Sequence, residues 1–378
     1  MDFDFTEEQL ALCRAVQRWV DKGYPFARRR RIVEAGGFSR EAWNDLAELG
    51  LLGLLVPPAH GGLGMGPVES MLVMEELGRG LVVEPYAEGA LVSASLLAEA
   101  SPEVQAAWLP HLADGSALLV PAVLEHGARH PLQRIECQAS PSDAGWLLSG
   151  EKQLVAAGDH ADGFVVAARC GDDADASNVG LFLVERRSGG VTTRGHRTQD
   201  GARAAQLSLR RAHAALIVPP PKASAVLERA VDVAIAALAA EAVGAMDQLV
   251  AMTAAYMGVR RQFGVPIATF QALRHRIADT KMQLELARSM SYLASLRLSA
   301  PPPLQRRAIS QAKVQLGESM RFVGQQCIQL HGAIGVTDEC PASHYFKRLT
   351  CIELAYGDTM YHLSEVSARM LDTAGVFE

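Results

Sequence analysis

This 378-residue chain lacks the arrangements that hold metals or disulfides. Its six cysteines (Cys13, Cys137, Cys170, Cys327, Cys340, Cys351) lie far apart, without the paired spacings of zinc sites or redox motifs. They read as reduced thiols of a cytoplasmic protein. Basic residues are not gathered into a face-length block and the net charge is −6, which leaves neither nucleic acid nor an anionic membrane as an expected partner. The exception, Arg28 to Arg31, reads as a solvated loop. The N-terminus, MDFDFTEEQ, is acidic and opens directly into a helix, so no signal peptide is expected. No apolar run reads as long enough and free enough of charge to span a bilayer.

What is present is helix, then strand, then helix. Thr6 and Gln9 form a capping box, and Leu10, Cys13, Val16 and Val20 follow at helical spacing. Ser39 caps a second helix carrying Trp43, Leu46 and Leu49. A loop, PPAHGGLGMG, occupies Pro57 to Gly66. Further helices are predicted over 67–77, 89–98 and 103–112. From Ala117 the texture changes to short β-prone runs (118–124, 145–149, 163–168, 179–185, 204–209) divided by Gly, Asp, Ser and Asn, the pattern of an antiparallel β domain. Pro219-Pro220-Pro221 closes it. Four long helices over 226–262, 270–298, 304–330 and 341–371 then form a bundle. The Ala-rich face of the first (Ala234, Ala237, Leu238, Ala245) suits close packing, partly against another subunit. The fold class is therefore α+β and multidomain: an N-terminal helical domain (1–116), a middle antiparallel β domain (117–221) and a C-terminal four-helix bundle (222–378).

The most specific stretch is YMGVRRQFGVPIATFQALRHRIA, from Tyr256 to Ala278. A helix ends there in Arg260-Arg261, breaks at Gly264 and Pro266, and restarts with Thr269 as N-cap. The arginine pair suits a helix C-terminus by the dipole alone. The alternative is that one guanidinium, with Gln262 and the ring of Phe263, holds a dinucleotide pyrophosphate.

The run RRQFGVPI with Phe270-Gln271, followed by His331-Gly332-Ala333-Ile334-Gly335, resembles the acyl-CoA dehydrogenase family over nearly the whole chain. AEAVGAM (Ala240 to Met246) and HYFKRLT (His344 to Thr350) are most similar to the small subunit of pimeloyl-CoA dehydrogenase-like enzymes. The resemblance implies FAD, an acyl-CoA substrate, an electron-transfer acceptor protein and an oligomer. It also implies a flavin contact set of Arg260, Gln262, Phe263, Ile267, Phe270, Gln271, Gln329 and Gly332, lent to the neighbouring subunit's flavin, with Ala333 replacing a glycine.

The same resemblance exposes losses. The family's base, a Glu before Gly-Thr, falls at Tyr356, followed by Gly357 and Asp358. The other place for it falls at Ala234. The β-domain Thr-Glu and Gly-X-Gly-Ser elements read Leu124-Glu125-His126-Gly127-Ala128-Arg129-His130, and Trp-Ile-Thr reads Leu154-Val155-Ala156. A chain that keeps what it lends and loses what it uses itself reads as an auxiliary subunit, in a heterotetramer with a catalytic large subunit. The alternatives are a self-sufficient homodimer or homotetramer using Glu241 or Asp358 as base, and a catalytically silent acyl-CoA-binding scaffold. Glu241 also reads as a partly buried carboxylate paired with Arg or His, and Tyr356 as a poor base at neutral pH. His331 is either a capping imidazole or a neighbour of flavin phosphates.

Overall fold

A computed structural model describes residues 4–128, 130, 134–143, 145–171 and 178–370. Helices precede and follow a strand-rich middle, as the patterning predicts. By compactness the chain divides into one unit of Met1–Arg29, Pro67–Val82 and Ile235–Glu378, and a second of Arg30–Gly66 and Val83–Ala234.

The second unit contains α3 (Arg40–Glu48), α5 (Ser93–Leu97), α6 (Pro102–Ala113) and a seven-stranded sheet. Ser39 caps α3 as expected, its hydroxyl accepting from the Ala42 amide. That helix buries Trp43 completely. A Cβ at Gly89 would lie 2.8 Å from the Trp43 ring, so only glycine lets that backbone approach. The strands are β1 (Leu119–Ala122), β2 (Gln138–Ser142), β3 (Gly145–Ala156), β4 (Gly163–Cys170), β5 (Val179–Glu185), β6 (Val191–Arg197) and β7 (Arg203–Val218). Most pairings are antiparallel, with β1 and β2 running parallel to β4. The pairings return on themselves through β4, β5, β7, β3 and β2. Two strands escape the sequence pattern. QASPS of β2 has little β propensity, and β6, VTTRGHR, buries none of its residues.

The first unit holds α1 (Glu7–Gly23), α4 (Pro67–Arg79), most of α7 (Lys222–Val259), α8 (Gln271–Arg297), α9 (Pro302–His331), α10 (Pro341–Leu354) and α11 (Thr359–Ala368). The Thr6–Gln9 capping box forms at α1. A Cβ on Gly78 would lie 2.0 Å from the Glu241 carbonyl, and one on Gly244 1.7 Å from the Glu75 carbonyl. These glycines set how closely α4 and α7 pack.

Several expectations are corrected. The fourth bundle helix is two, α10 and α11, broken at Tyr356 (φ 57°) and Gly357 (φ 99°). The Ala-rich face is buried within the chain itself, with Ala234, Ala237, Leu238 and Ala245 at most 4% exposed, so no second subunit is needed to cover it. Helix α7 does contain a window long and apolar enough to cross a membrane, with mean hydropathy 1.6, but 83% of that window is buried in the fold. Its charged residues are too sparse to interrupt the run, and it serves as a core helix. Arg28 to Arg31 lie in α2 (Phe26–Glu34), not in a loop. Arg29 is 1% exposed. Its Nε donates to the Leu81 carbonyl at 2.9 Å, its Nη1 lies 3.0 Å from His344 Nδ1, and its guanidinium sits over the Phe26 ring.

Candidate functional site

The break after α7 is a hairpin. The helix ends at Val259, so Arg260 follows it and Arg261 lies in β8 (Arg261–Gln262), paired with β9 (Val265–Pro266). Phe263 and Gly264 both take positive φ, 54° and 80°, the turn that matches strand twist in a two-residue hairpin. Arg261 Nη2 donates to the Gly264 carbonyl at 2.7 Å and is spent on this turn. The Arg260 side chain is exposed and forms no ion pair among the described residues. Thr269 is not an N-cap: it closes a 3₁₀ turn, donating to the Pro266 carbonyl, and Phe270 takes the cap position of α8. The reason is that Ile267 is drawn into the core with Met257 and Leu330, which continues the turn past Thr269. Phe263, 92% exposed, packs edge-on to Phe270 with centroids 6.1 Å apart.

The two halves of the sequence motif meet. Tyr256 stacks on His331, with centroids 4.7 Å apart, and its hydroxyl donates to the His331 carbonyl at 3.3 Å. His331 is buried, with Nδ1 2.9 Å from the Cys327 carbonyl, so the capping role is the one it performs. Gly332 ends α9 with φ 67°, its amide donating to the Gln329 carbonyl. No atom would lie within 4 Å of a Cβ at Gly264 or Gly332. Arg260, Gln262, Phe263, Phe270, Gln271, Gln329 and Gly332 are all exposed, while Ile267 is buried. Cation, amides and rings with open space in front suit the pyrophosphate of a dinucleotide such as FAD.

Around Tyr356 the chain is tightly braced. The Tyr356 carbonyl accepts from His362 Nε2 (3.1 Å), and the Ile352 carbonyl accepts from Lys313 Nζ (2.5 Å). Glu353 accepts from the Thr359 amide and hydroxyl at the start of α11. Asp358 is the N-cap of α11, accepting from the Tyr361 amide at 2.8 Å. It therefore lies in a turn rather than on a regular helix. Glu241 is 4% exposed and gripped by Arg348, with Nε to Oε1 2.5 Å and Nη2 to Oε2 2.7 Å, the Arg pairing that its burial suggests. Ala234 is fully buried.

In the β domain, Glu125 is buried as an acceptor for Lys152 Nζ (2.5 Å) and for the Glu136 and Cys137 amides. Lys152, 0% exposed, also donates to the Ala167 carbonyl. Leu154 is 56% exposed at φ 50°. Ala156 is half-buried, and Arg129 lies outside the described residues. Sequence reading missed Lys152, Lys313 and His362, because their partners are backbone carbonyls or carboxylates distant in the chain. A lone Lys inside an apolar helical stripe, as Lys313 is beside Ile309, Ala312 and Leu316, was the available signal.

Known proteins match this arrangement throughout. "Acyl-CoA dehydrogenase, N-terminal domain" matches residues 6–116, "middle domain" 122–211 and "C-terminal domain" 225–371. The chain is 31% identical over 344 residues to the acyl-CoA dehydrogenase IpdE2 of Mycobacterium tuberculosis, covering 90% of this chain and 91% of that one. It superposes on a Tcur3481-Tcur3483 steroid ACAD variant with a TM-score of 0.87 and 30% identity, covering 97% and 99% of the chains. For the ChsE4-ChsE5 complex of M. tuberculosis the TM-score is 0.87 and the identity 27%, covering 99% and 100%.

Proposed function

Because the chain belongs to the acyl-CoA dehydrogenase family of FAD-dependent oxidoreductases, we propose that it is the auxiliary subunit of a hetero-oligomeric acyl-CoA dehydrogenase. In this reading it acts in the cytoplasm with a catalytic large subunit and passes electrons to a transfer protein. The observation that carries the reading is the contrast between the two sides of the flavin site. The rim around Arg260 is intact and exposed, whereas no free carboxylate stands where the resemblance implies a base. Tyr356 replaces one candidate and Ala234 the other, Glu241 is held by Arg348, and Asp358 caps α11. The six free thiols suit a reducing compartment. Two of the similar structures, Tcur3481-Tcur3483 and the ChsE4-ChsE5 complex, pair two differently named proteins, which supports an assembly of unlike chains.

Bound FAD would supply the hydride acceptor. This chain's part is to bind and orient. Arg260 and Gln329 would hold the pyrophosphate, Phe263 and Phe270 would wall the site, and Gly332, lacking a Cβ, would let the backbone come close. Proton removal next to the thioester carbonyl would fall to the partner, since a phenol with a pKa near 10 is a poor base at neutral pH. General-base catalysis contributes about 10² to 10⁴ in rate. The purified chain reconstituted with FAD should therefore reduce an artificial electron acceptor at a rate near background with any acyl-CoA, and Tyr356→Glu should raise that rate. The reading fails if the wild type turns over robustly and Glu241→Gln or Asp358→Asn abolishes it, which would identify a substitute base in a self-sufficient enzyme.

A further inference from the structure

Among the described residues β6 pairs only with β7, in a ladder running from Val191 opposite Leu209 to Arg197 opposite Arg203, and is therefore an edge of the sheet. At the two ends of the ladder the Arg210 amide donates to the Gly190 carbonyl and the Thr198 amide to the Ala202 carbonyl. Hydrogen-bonded pairs alternate along an antiparallel ladder, so Thr192, Arg194 and His196 bond to β7 while Thr193, Gly195 and Arg197 turn their N–H and C=O groups outward. Those outward groups have no hydrogen-bond partner among the described residues. Such an edge is a template for one more strand. It is also pinned in place. Arg203 Nε donates to Asp159 Oδ2 at 2.9 Å, and a Cβ on Gly195 would lie 1.9 Å from that same oxygen, so the carboxylate sits directly over the strand.

We infer that β6 receives an extended segment of a partner protein with carboxylates at alternate positions. Its side chains set that chemistry. Arg194 and His196, two residues apart, share one face of the strand, and both are exposed, as is Arg197 at its end. None of the three has a carboxylate partner among the described residues; Arg197 Nη1 donates instead to the Val33 carbonyl at 3.1 Å. Pairing with a second copy of β6 would bring two sets of these cations together, which like charges across a ladder oppose. An acidic strand reverses the sign of that interaction. On the opposite face Asp159 already occupies Gly195, so acids are admitted on the Arg194 face alone, and the alternation follows. Main-chain groups then supply the binding and the alternate side chains the choice of partner. The inference is independent of the auxiliary-subunit reading.

Fluorescence anisotropy of the full-length chain with a labelled peptide TEVETEV, acidic at every second position, tests this. The control is EEETVTV, of the same composition and charge. TEVETEV should bind saturably and EEETVTV roughly tenfold more weakly, and Arg194→Ala should weaken TEVETEV roughly fivefold. Thr193→Pro removes one outward N–H and leaves the bonds to β7, so it should abolish binding while the chain still melts as the wild type does. Hydrogen exchange of the wild type needs no variant: the amides of 191–197 should slow when TEVETEV is bound. Absence of saturable binding, equal affinity for EEETVTV, wild-type affinity in Thr193→Pro, or exchange unchanged by the peptide would each overturn the inference. Protection of these amides by raising the protein concentration alone would assign the edge to a second copy and do the same.

Discussion

Lys313 shows how a single side chain carries the chemistry of its surroundings. Burial pushes its ammonium down to about 7 from an ordinary value of 10.5, against the opposing pull of Glu353 and Asp358. The folded state therefore favours the neutral amine. Between about pH 7 and 10.5 the unfolded chain binds more protons, so stability rises with pH across that window. Lys313→Met removes the penalty and should raise the melting temperature at pH 7, with the gain shrinking by pH 9.5. An equal shift at both pH values would mean that lost contacts, not ionisation, set its effect. Residues such as Glu241 were legible in the sequence, since a carboxylate deep in an apolar helix needs a cation. Arg29 was not: its partners, Leu81 and His344, are brought to it only by the fold.

Elements were legible where their periodicity outweighs their ends. Helices α1, α3, α4, α7, α8 and α9 follow the sequence pattern, whereas α2 with its four arginines does not, and helix termini depend on neighbours, as Thr269 yielding its cap to Phe270 shows. The break between α10 and α11 was hidden because Tyr356 is not a turn former. The braces from His362 and Lys313 impose its left-handed backbone. Conversely, β6 was invisible because hydrogen bonds to β7 hold it while no apolar residue of its own is buried. Close packing of α4 and α7 makes a direct prediction. Gly244→Ala would drive a Cβ to 1.7 Å from the Glu75 carbonyl, and overpacking of this kind costs about 1 to 3 kcal/mol. A chemical denaturation midpoint that falls accordingly supports the account. An unchanged midpoint would show that the two helices can separate freely.

At the scale of the molecule, the order of helix, strand and helix was readable from texture, and the two halves of the C-terminal motif meet where Tyr256 stacks on His331. The compact units were not readable, because each is assembled from segments far apart in sequence. The proposed division of labour rests on the exposed residues around Arg260 and on Tyr356 and Ala234 at the positions where the resemblance implies a base. Flavin retention tests it most directly. The chain should be purified alone and together with whatever acyl-CoA dehydrogenase-like chain co-purifies with it, as wild type and as Arg260→Ala, and the bound flavin measured against protein. The account predicts that wild type holds flavin firmly only in the complex and that Arg260→Ala removes it there, a charge-assisted contact of about 1.5 to 3 kcal/mol. Stoichiometric flavin in the isolated chain, unchanged by Arg260→Ala, would contradict it.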